Sequence, residues 1–506
     1  MSWQRIATAA AVLLLVILGP AIVGPTQAQS VLRIGLNDDP DALDPTISRA
    51  YTGRLIFAAL CDKLFEVTPD LKIVPQLASG YEWAADRLSI VIKLRPGVKF
   101  QDGEPLNAEA VRFNIERHLS TPGSFRKSEI GEIKSVDVLD DLSVRFNLSK
   151  PLVPLLAALT DRAGMMISPK AAKALGDKFT TRPVCAGPFK FVERVAQGKI
   201  VLERFADYWN KASIHLDRVE FVPITDSASR VASLRSGDLQ MIERVSPRDL
   251  AQLRADSRLQ VAGIAELGYQ TIPLNVANGP KSKTFADVRV RQALDLAIDR
   301  ETIVKTVFNG EYIPGNQVVS PASPFYNTKF PVRRRDVARA KQLLREAGQP
   351  ALAFTLIVPP ERDRQEAALI IQSMLAEAGI TMTIQTQENV TMLQAGRRGD
   401  FEAYFTFWSG RPDPNGNVYS FTTCQGAQND SHYCNPDVDA ILTKASETPS
   451  IAERKKLYDR ATEITIREVP RILLWHRRVF TGYSTRVRGF TPYPDGIIRL
   501  QGLRLE

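Results

Sequence analysis

Residues 335–408 alternate helix and strand, a pattern that few architectures accommodate. Val337, Ala340, Leu343, Leu344 and Ala347 recur at helical spacing and stop at Gly348, after which Phe354 to Val358 is an unbroken apolar run. Ala367, Ile370, Ile371, Met374, Leu375 and Ala378 line a second helix that stops at Gly379. Thr381 to Thr386 and the apolar run Phe401 to Phe407, ending at Trp408, read as further strands. The helical period places each apolar set on one face, and glycine supplies the left-handed conformation that ends a helix. Strands separated by helices need crossover connections, so this region is expected to be an α/β lobe. Ligands gather at the carboxyl edges of the strands in such lobes. A chain of 506 residues exceeds what one core supports, and two or three lobes are expected from domain sizes of about 100–200 residues.

The remaining segments fit the same picture. Val31 to Leu36 is a short apolar strand followed by the turn-rich Asn37-Asp38-Asp39-Pro40-Asp41. Leu88 to Leu94 alternates apolar and polar as a half-buried strand does, and Asp137 to Leu148 reads as two strands joined at Asp140-Asp141. Asn107 is a good N-cap for a helix carrying Val111, Ile115 and Leu119. Strand-like runs return at Phe189 to Val195, Lys199 to Phe205 and Val219 to Ile224. Val290, Ala293, Leu294, Ala297 and Ile298 then form a helical stripe, and Asp299 caps a further helix expected to stop at Gly310.

The first 28 residues carry one charge, Arg5, then the apolar run Ala9 to Leu18, Gly19-Pro20, and the small-residue ending Thr26-Gln27-Ala28. That order predicts a cleavable secretory signal peptide. The run is half the ~20 residues a spanning helix needs, so the chain is expected to be exported to the periplasm as a soluble protein. Cys61, Cys185, Cys424 and Cys434 are an even number for an oxidising compartment. Cys424 and Cys434 flank a polar loop and predict a local disulfide, leaving Cys61 and Cys185 for each other.

The net charge of +9 is spread along the chain, its densest cluster being Arg333, Arg334 and Arg335. A nucleic-acid binder gathers charge on one face, so nucleic acid is not an expected partner. No GxSxG, HExxH, P-loop or GxGxxG occurs, and His118, His215, His432 and His476 lack ligand-like spacing. A carboxylate pair of the glycosidase kind is not singled out. Binding without catalysis, and without a cofactor or resident metal, is the expectation, a secreted hydrolase the rival.

Several ordered segments carry a resemblance. LRIGLNDDPDALDP (32–45), CDKLFEVTPD (61–70), LRPGVKFQDGEPLNAEAVRFNIER (94–117), GPFKF (187–191), ADYW (206–209), SLRSGDLQMI (233–242) and FADVRVRQALDLAIDRETIV (285–304) follow one another as in the family 5 extracellular solute-binding proteins. That family includes the dipeptide, oligopeptide and nickel receptors of ABC importers. The resemblance implies a type II-like periplasmic binding protein fold: two large lobes joined by a hinge, with an extra inserted subdomain. Transferred to this chain, lobe I is about 29–60 with 181–268 and 480–506, the insertion 61–180, and lobe II 269–479. The implied partners are a peptide or related small solute and an ABC permease, and a monomer is expected.

The resemblance also implies where ligand sits. In the dipeptide receptors an Asp just after Trp-x-Gly binds the peptide amine, and an Arg in an earlier loop binds its carboxylate. Here the loop reads Trp408-Ser409-Gly410-Arg411-Pro412-Asp413, so Arg411 stands where that Asp is expected, while Pro359-Pro360-Glu361-Arg362 brings Arg362 to the carboxylate-binding place. Two guanidiniums favour an anionic or N-blocked ligand, since Arg grips carboxylates through paired hydrogen bonds. Two alternatives stay open: Arg411 latching onto a carboxylate between lobes, and Asp413 accepting an amine. Trp408, Tyr269, Gln270 and Asn37 are further candidates to line the site, with Leu43 behind them. His432, in the Cys424–Cys434 loop, is the residue that a metal–chelate receptor of the nickel type would use.

Overall fold

The computed structural model describes residues 29–506; the expected signal peptide lies outside them. Three large hydrophobic cores organise the described residues, two centred on one sheet each and the third spanning two sheets. The largest sheet has seven strands in the order Leu259–Ala265, Arg478–Ser484, Met241–Ile242, Val31–Leu36, Arg218–Pro223, Lys199–Arg204 and Phe189–Val195. Val31–Leu36 runs parallel to both its neighbours, and its alternating Leu32, Ile34 and Leu36 are fully buried. They pack with Leu55, Ile56 and Phe57 of the helix Tyr51–Leu60.

The second body is an antiparallel sheet of Ala78–Trp83, Ser89–Leu94, Ser143–Leu148 and Ile133–Asp140, in that order. Helix Ala108–Ser120 belongs to its core through Val111 and Ile115, and Asn107 caps it by accepting from the Ala110 amide at 3.0 Å.

The third body holds the expected alternation. Helix Val337–Glu346, strand Ala353–Val358, helix Arg362–Glu377 and strand Thr381–Thr386 follow in turn, and both strands are parallel in one sheet. The apolar run Phe401 to Phe407 is two strands rather than one. Ala403–Tyr404 pairs parallel with Ala353–Val358, whereas Thr406–Trp408 crosses to pair antiparallel with Tyr269–Thr271 in a second sheet. Phe405, fully buried between them, is the turning point. A run apolar at nearly every position carries no sign of where its pairing partner changes.

Two neighbouring crossings join the first and third bodies. Leu259–Ala265 continues into Tyr269–Pro273, and Arg471–His476 continues into Arg478–Ser484. Glu266 and Arg477 occupy the crossing points, the Glu266 amide donating to the Arg477 carbonyl at 2.9 Å. Gly268 is required just beyond, because a Cβ there would lie 1.9 Å from the Trp408 carbonyl oxygen. This crossing sets Trp408 directly beside the hinge.

Both expected disulfides are present, Cys61–Cys185 and Cys424–Cys434. They close loops of 124 and 10 residues by sequence separation. If loop-closure entropy dominates, removing the first costs about 5 kcal/mol and removing the second about 3. Thermal unfolding of the C61S/C185S and C424S/C434S variants should therefore lower Tm more in the first. The two buried histidines give a second test. Burial holds His118 down to about 3, helped by Arg126 and Arg117, and holds His476 down to about 4, both against an ordinary 6.5. Below about pH 6.5 the unfolded chain takes up protons that the folded chain refuses, so stability is lost as pH falls. Denaturant midpoints measured between pH 7 and pH 4 should decline, and less steeply in His118→Gln.

Candidate functional site

The three bodies meet around Thr406–Trp408, the outer strand of its four-stranded sheet. Successive side chains of a strand point to opposite faces, and here each aromatic ring meets arginine. Phe407 has three guanidiniums over it, Arg477 at 4.4 Å from the ring centroid, Arg364 at 5.1 Å and Arg244 at 5.6 Å. Arg244 comes from the first body, lies 3.9 Å over Tyr51, and donates to Glu266 at 2.6 Å. Burial lowers the pKa of Arg364, to about 10, and of Arg477, so this seam holds its positive charge at a cost.

Trp408 faces the second group. Its Nε1 donates to Asn417 Oδ1 at 2.9 Å, and Phe421 meets its ring edge-on at 4.8 Å. Arg411 lies 4.5 Å over the ring. The same Asn417 oxygen accepts from the Arg411 amide at 2.6 Å, while Asn417 Nδ2 donates to the Arg411 carbonyl at 2.9 Å. The loop is thereby pinned and the Arg411 side chain directed out of the third body.

It reaches the second body. Arg411 Nε lies 3.3 Å from Asp161 Oδ2, and Nη2 lies 4.0 Å from Glu129 Oε1. Asp161 also receives Arg54 Nε at 3.2 Å and has Arg162 Nε at 3.9 Å. Arg126 donates to Glu129 at 2.8 Å, and Arg162 Nη1 donates to the Ser48 carbonyl at 2.9 Å. Burial opposes the Asp161 charge, but Arg54, Arg411, Arg162 and Arg126 together hold its carboxyl well below the usual range. Burial lowers the pKa of Arg411 and, with Arg126 adding repulsion, that of Arg162 far more. Arg54 Nη1, Arg126 Nε and Arg162 Nε are buried without a hydrogen-bond partner, and so are the acceptors Asp161 Oδ2 and Glu129 Oε2.

The other expected residues divide by geometry. Tyr269 is buried and donates to the Asn417 carbonyl at 3.0 Å, so it supports the Trp408–Arg411 loop. Gln270 lies opposite Phe407 with its Oε1 unpartnered. The Asn37 amide donates to the buried Glu243 at 2.9 Å, and Leu43 is fully buried in the first core. Asp413 lies in the third body, chelated by Arg454 at 2.7 and 2.8 Å and accepting from the Asn415 amide at 2.9 Å. Arg362 is 79% exposed and pairs with Glu366 at 2.9 Å, because the first residue of helix Arg362–Glu377 points outward. Arg364, two residues on, turns inward to Phe407 instead. His432 is exposed, and among the described residues no three His, Cys, Asp or Glu side chains converge as a metal site.

Arg54, Arg126, Arg162, Arg244 and Arg477 were absent from the sequence-based candidates. They come from separate stretches of chain, each with an ordinary local context, and only the tertiary fold gathers them. The Asp413–Arg454 pair gives a direct check. Arg454→Met leaves a buried carboxylate uncompensated and should cost about 3–5 kcal/mol in denaturant unfolding. Arg362→Ala removes only an exposed pair and should change stability by less than about 0.5 kcal/mol.

Known proteins are similar to this chain over nearly its whole length. The glutathione-binding protein GsiB of Pectobacterium atrosepticum is 27% identical over 500 residues, 95% of each chain. GsiB of Salmonella typhi is 28% identical over 496 residues, covering 93% of this chain and 94% of its own. Among solved structures, the periplasmic binding protein DppA from Helicobacter pylori in complex with the peptide STSA superposes with a TM-score of 0.87 at 26% identity, covering 94% of this chain and 98% of that one. The binding protein AgaA from A. tumefaciens R10, in complex with agropinic acid, gives 0.85 at 26% identity, covering 94% and 99%. Residues 72–429 match the middle region of the bacterial extracellular solute-binding proteins, family 5, and the chain belongs to that family.

Proposed function

We propose that this protein is the exported receptor of an ABC importer, closing its lobes on a carboxylate-bearing peptide or related small solute and delivering it to a membrane permease. One observation carries the reading: side chains from all three bodies converge at Thr406–Trp408 as buried arginines with fewer carboxylates than charges to match. A buried guanidinium without a partner is costly, so an anion arriving between the lobes stabilises the closed arrangement more than the open one. That difference is what a ligand needs to shift a hinge equilibrium. Thr406–Trp408 also has one free edge, where an extended peptide backbone can add as a further strand. The GsiB relatives and the DppA and AgaA complexes support a peptide or acidic solute.

In this reading lobe I is about 29–60, 181–268 and 480–506, the inserted subdomain 61–180, and lobe II 269–479, divisions supported by sheet membership. The protein works as a periplasmic monomer, released by cleavage after residue 28, and acts by capture and closure without covalent chemistry. Native mass spectrometry of protein purified gently from periplasm should detect one small solute per chain, released on denaturation and carrying at least one carboxylate. Chemical conversion of that solute by the purified protein would contradict a pure receptor, and a solute with no acidic group would contradict the carboxylate reading.

A further inference from the structure

The arginine cluster on the Trp408 side is charge-asymmetric in a way that specifies more than a single carboxylate. Four guanidiniums, Arg54, Arg126, Arg162 and Arg411, face two carboxylates, Asp161 and Glu129. The next acid felt by Arg54 is Asp495, and Arg499 already grips it at 2.6 and 2.8 Å. The cluster therefore carries an excess of two positive charges. It is also sheltered: Arg54, Arg126 and Arg162 are 5%, 2% and 3% exposed.

The four arginines do not move together. Arg411 projects from the third body, held by the Asn417 clasp, while Arg126 and Arg162 belong to the second and Arg54 to the first. Hinge opening separates Arg411 from the other three and breaks its contact with Asp161. The exposed faces then present the N–H groups of Arg54, Arg126 and Arg162 that lack acceptors. An acceptor placed there is gripped from both sides on closing, and charge-assisted hydrogen bonds of this kind are about twice as strong as neutral ones.

Resting on the receptor reading above, we propose that Arg54, Arg126, Arg162 and Arg411 form a dianion subsite, and that the preferred solute is peptide-like with a second carboxylate in place of a free ammonium. Arg411 is the specificity-determining residue, because it alone crosses between the lobes to complete the cluster. A free amine placed at this subsite meets two open carboxylate oxygens, Asp161 Oδ2 and Glu129 Oε2, but four guanidiniums outweigh them and reject it by repulsion.

The test is calorimetric binding of three probes to the full protein after solute removal: Ala-Ala, N-acetyl-Ala-Ala and N-succinyl-Ala-Ala. The succinyl derivative should bind at least about tenfold more tightly than the free-amine dipeptide, with the acetyl derivative between them. Arg411→Asp, which cancels the charge excess, should abolish that preference. Arg126→Gln, milder for folding, should weaken the succinyl probe while leaving N-acetyl-Ala-Ala less affected, and thermal melting establishes that both variants fold. Equal or tighter binding of Ala-Ala to the unmodified protein overturns the proposal while leaving the receptor reading intact. If none of the dipeptides binds, citrate serves as a non-peptide probe. A rise in Tm that Arg126→Gln removes upholds the subsite and retires the peptide class, whereas no rise retires the subsite.

Discussion

Guanidinium charge held out of water with too few carboxylates to answer it is the constraint on which the rest of this structure turns. Burying one charge is tolerable when a partner is fixed opposite it, as Asp413 is for Arg454. The Trp408 seam lacks that balance: Asp161 is shared among Arg54, Arg162 and Arg411, and several N–H groups have no acceptor. The surrounding scaffold keeps those side chains in place. Asn417 clasps the Arg411 loop, Tyr269 supports Asn417, and the Ser48 carbonyl holds Arg162. A closed arrangement with unanswered charge is poised to be stabilised by an anion, which links the electrostatics of the seam to the hinge.

The hinge itself follows from the sheet connections. Two neighbouring crossings, at Glu266 and Arg477, are the connections between the large bodies. Glu266 also answers Arg244 at 2.6 Å and lies 3.8 Å from Arg477. Two of the positive groups over Phe407, Arg244 and Arg477, are thus anchored at the crossing. Arg411 lies on the seam with the inserted body, in contact with Asp161. Arg248 of the first body pairs with Glu366, and Ser246 donates to Asp363 at 3.3 Å, adding polar contacts between the first and third bodies.

Much of the scaffold was legible in the residues because it rests on local rules. Helical periodicity located Val337–Glu346 and Arg362–Glu377, N-caps located the helices after Asn107 and Asp299, and cysteine spacing paired Cys424 with Cys434. The split of Phe401 to Phe407 between two sheets was not legible, because its two halves pair with strands distant in the chain and from each other, Ala353–Val358 and Tyr269–Pro273. The candidate site was legible only in part. Trp408 and Arg411 stand in a recognisable loop, but a one-dimensional reading placed the inward arginine at Arg362 when the helix start turns Arg364 inward instead. Arg54, Arg126 and Arg162 carry no local signal, since their importance lies in being brought together.

A crystal structure of the protein with its co-purified solute tests the central claim most directly. The account predicts lobes closed on a solute whose acidic groups lie within hydrogen-bond distance of Arg411 and of Arg54, Arg126 or Arg162, with the Arg411–Asp161 contact displaced or shared. A closed complex in which those arginines keep their present partners, and the solute's charge is answered elsewhere, would contradict it.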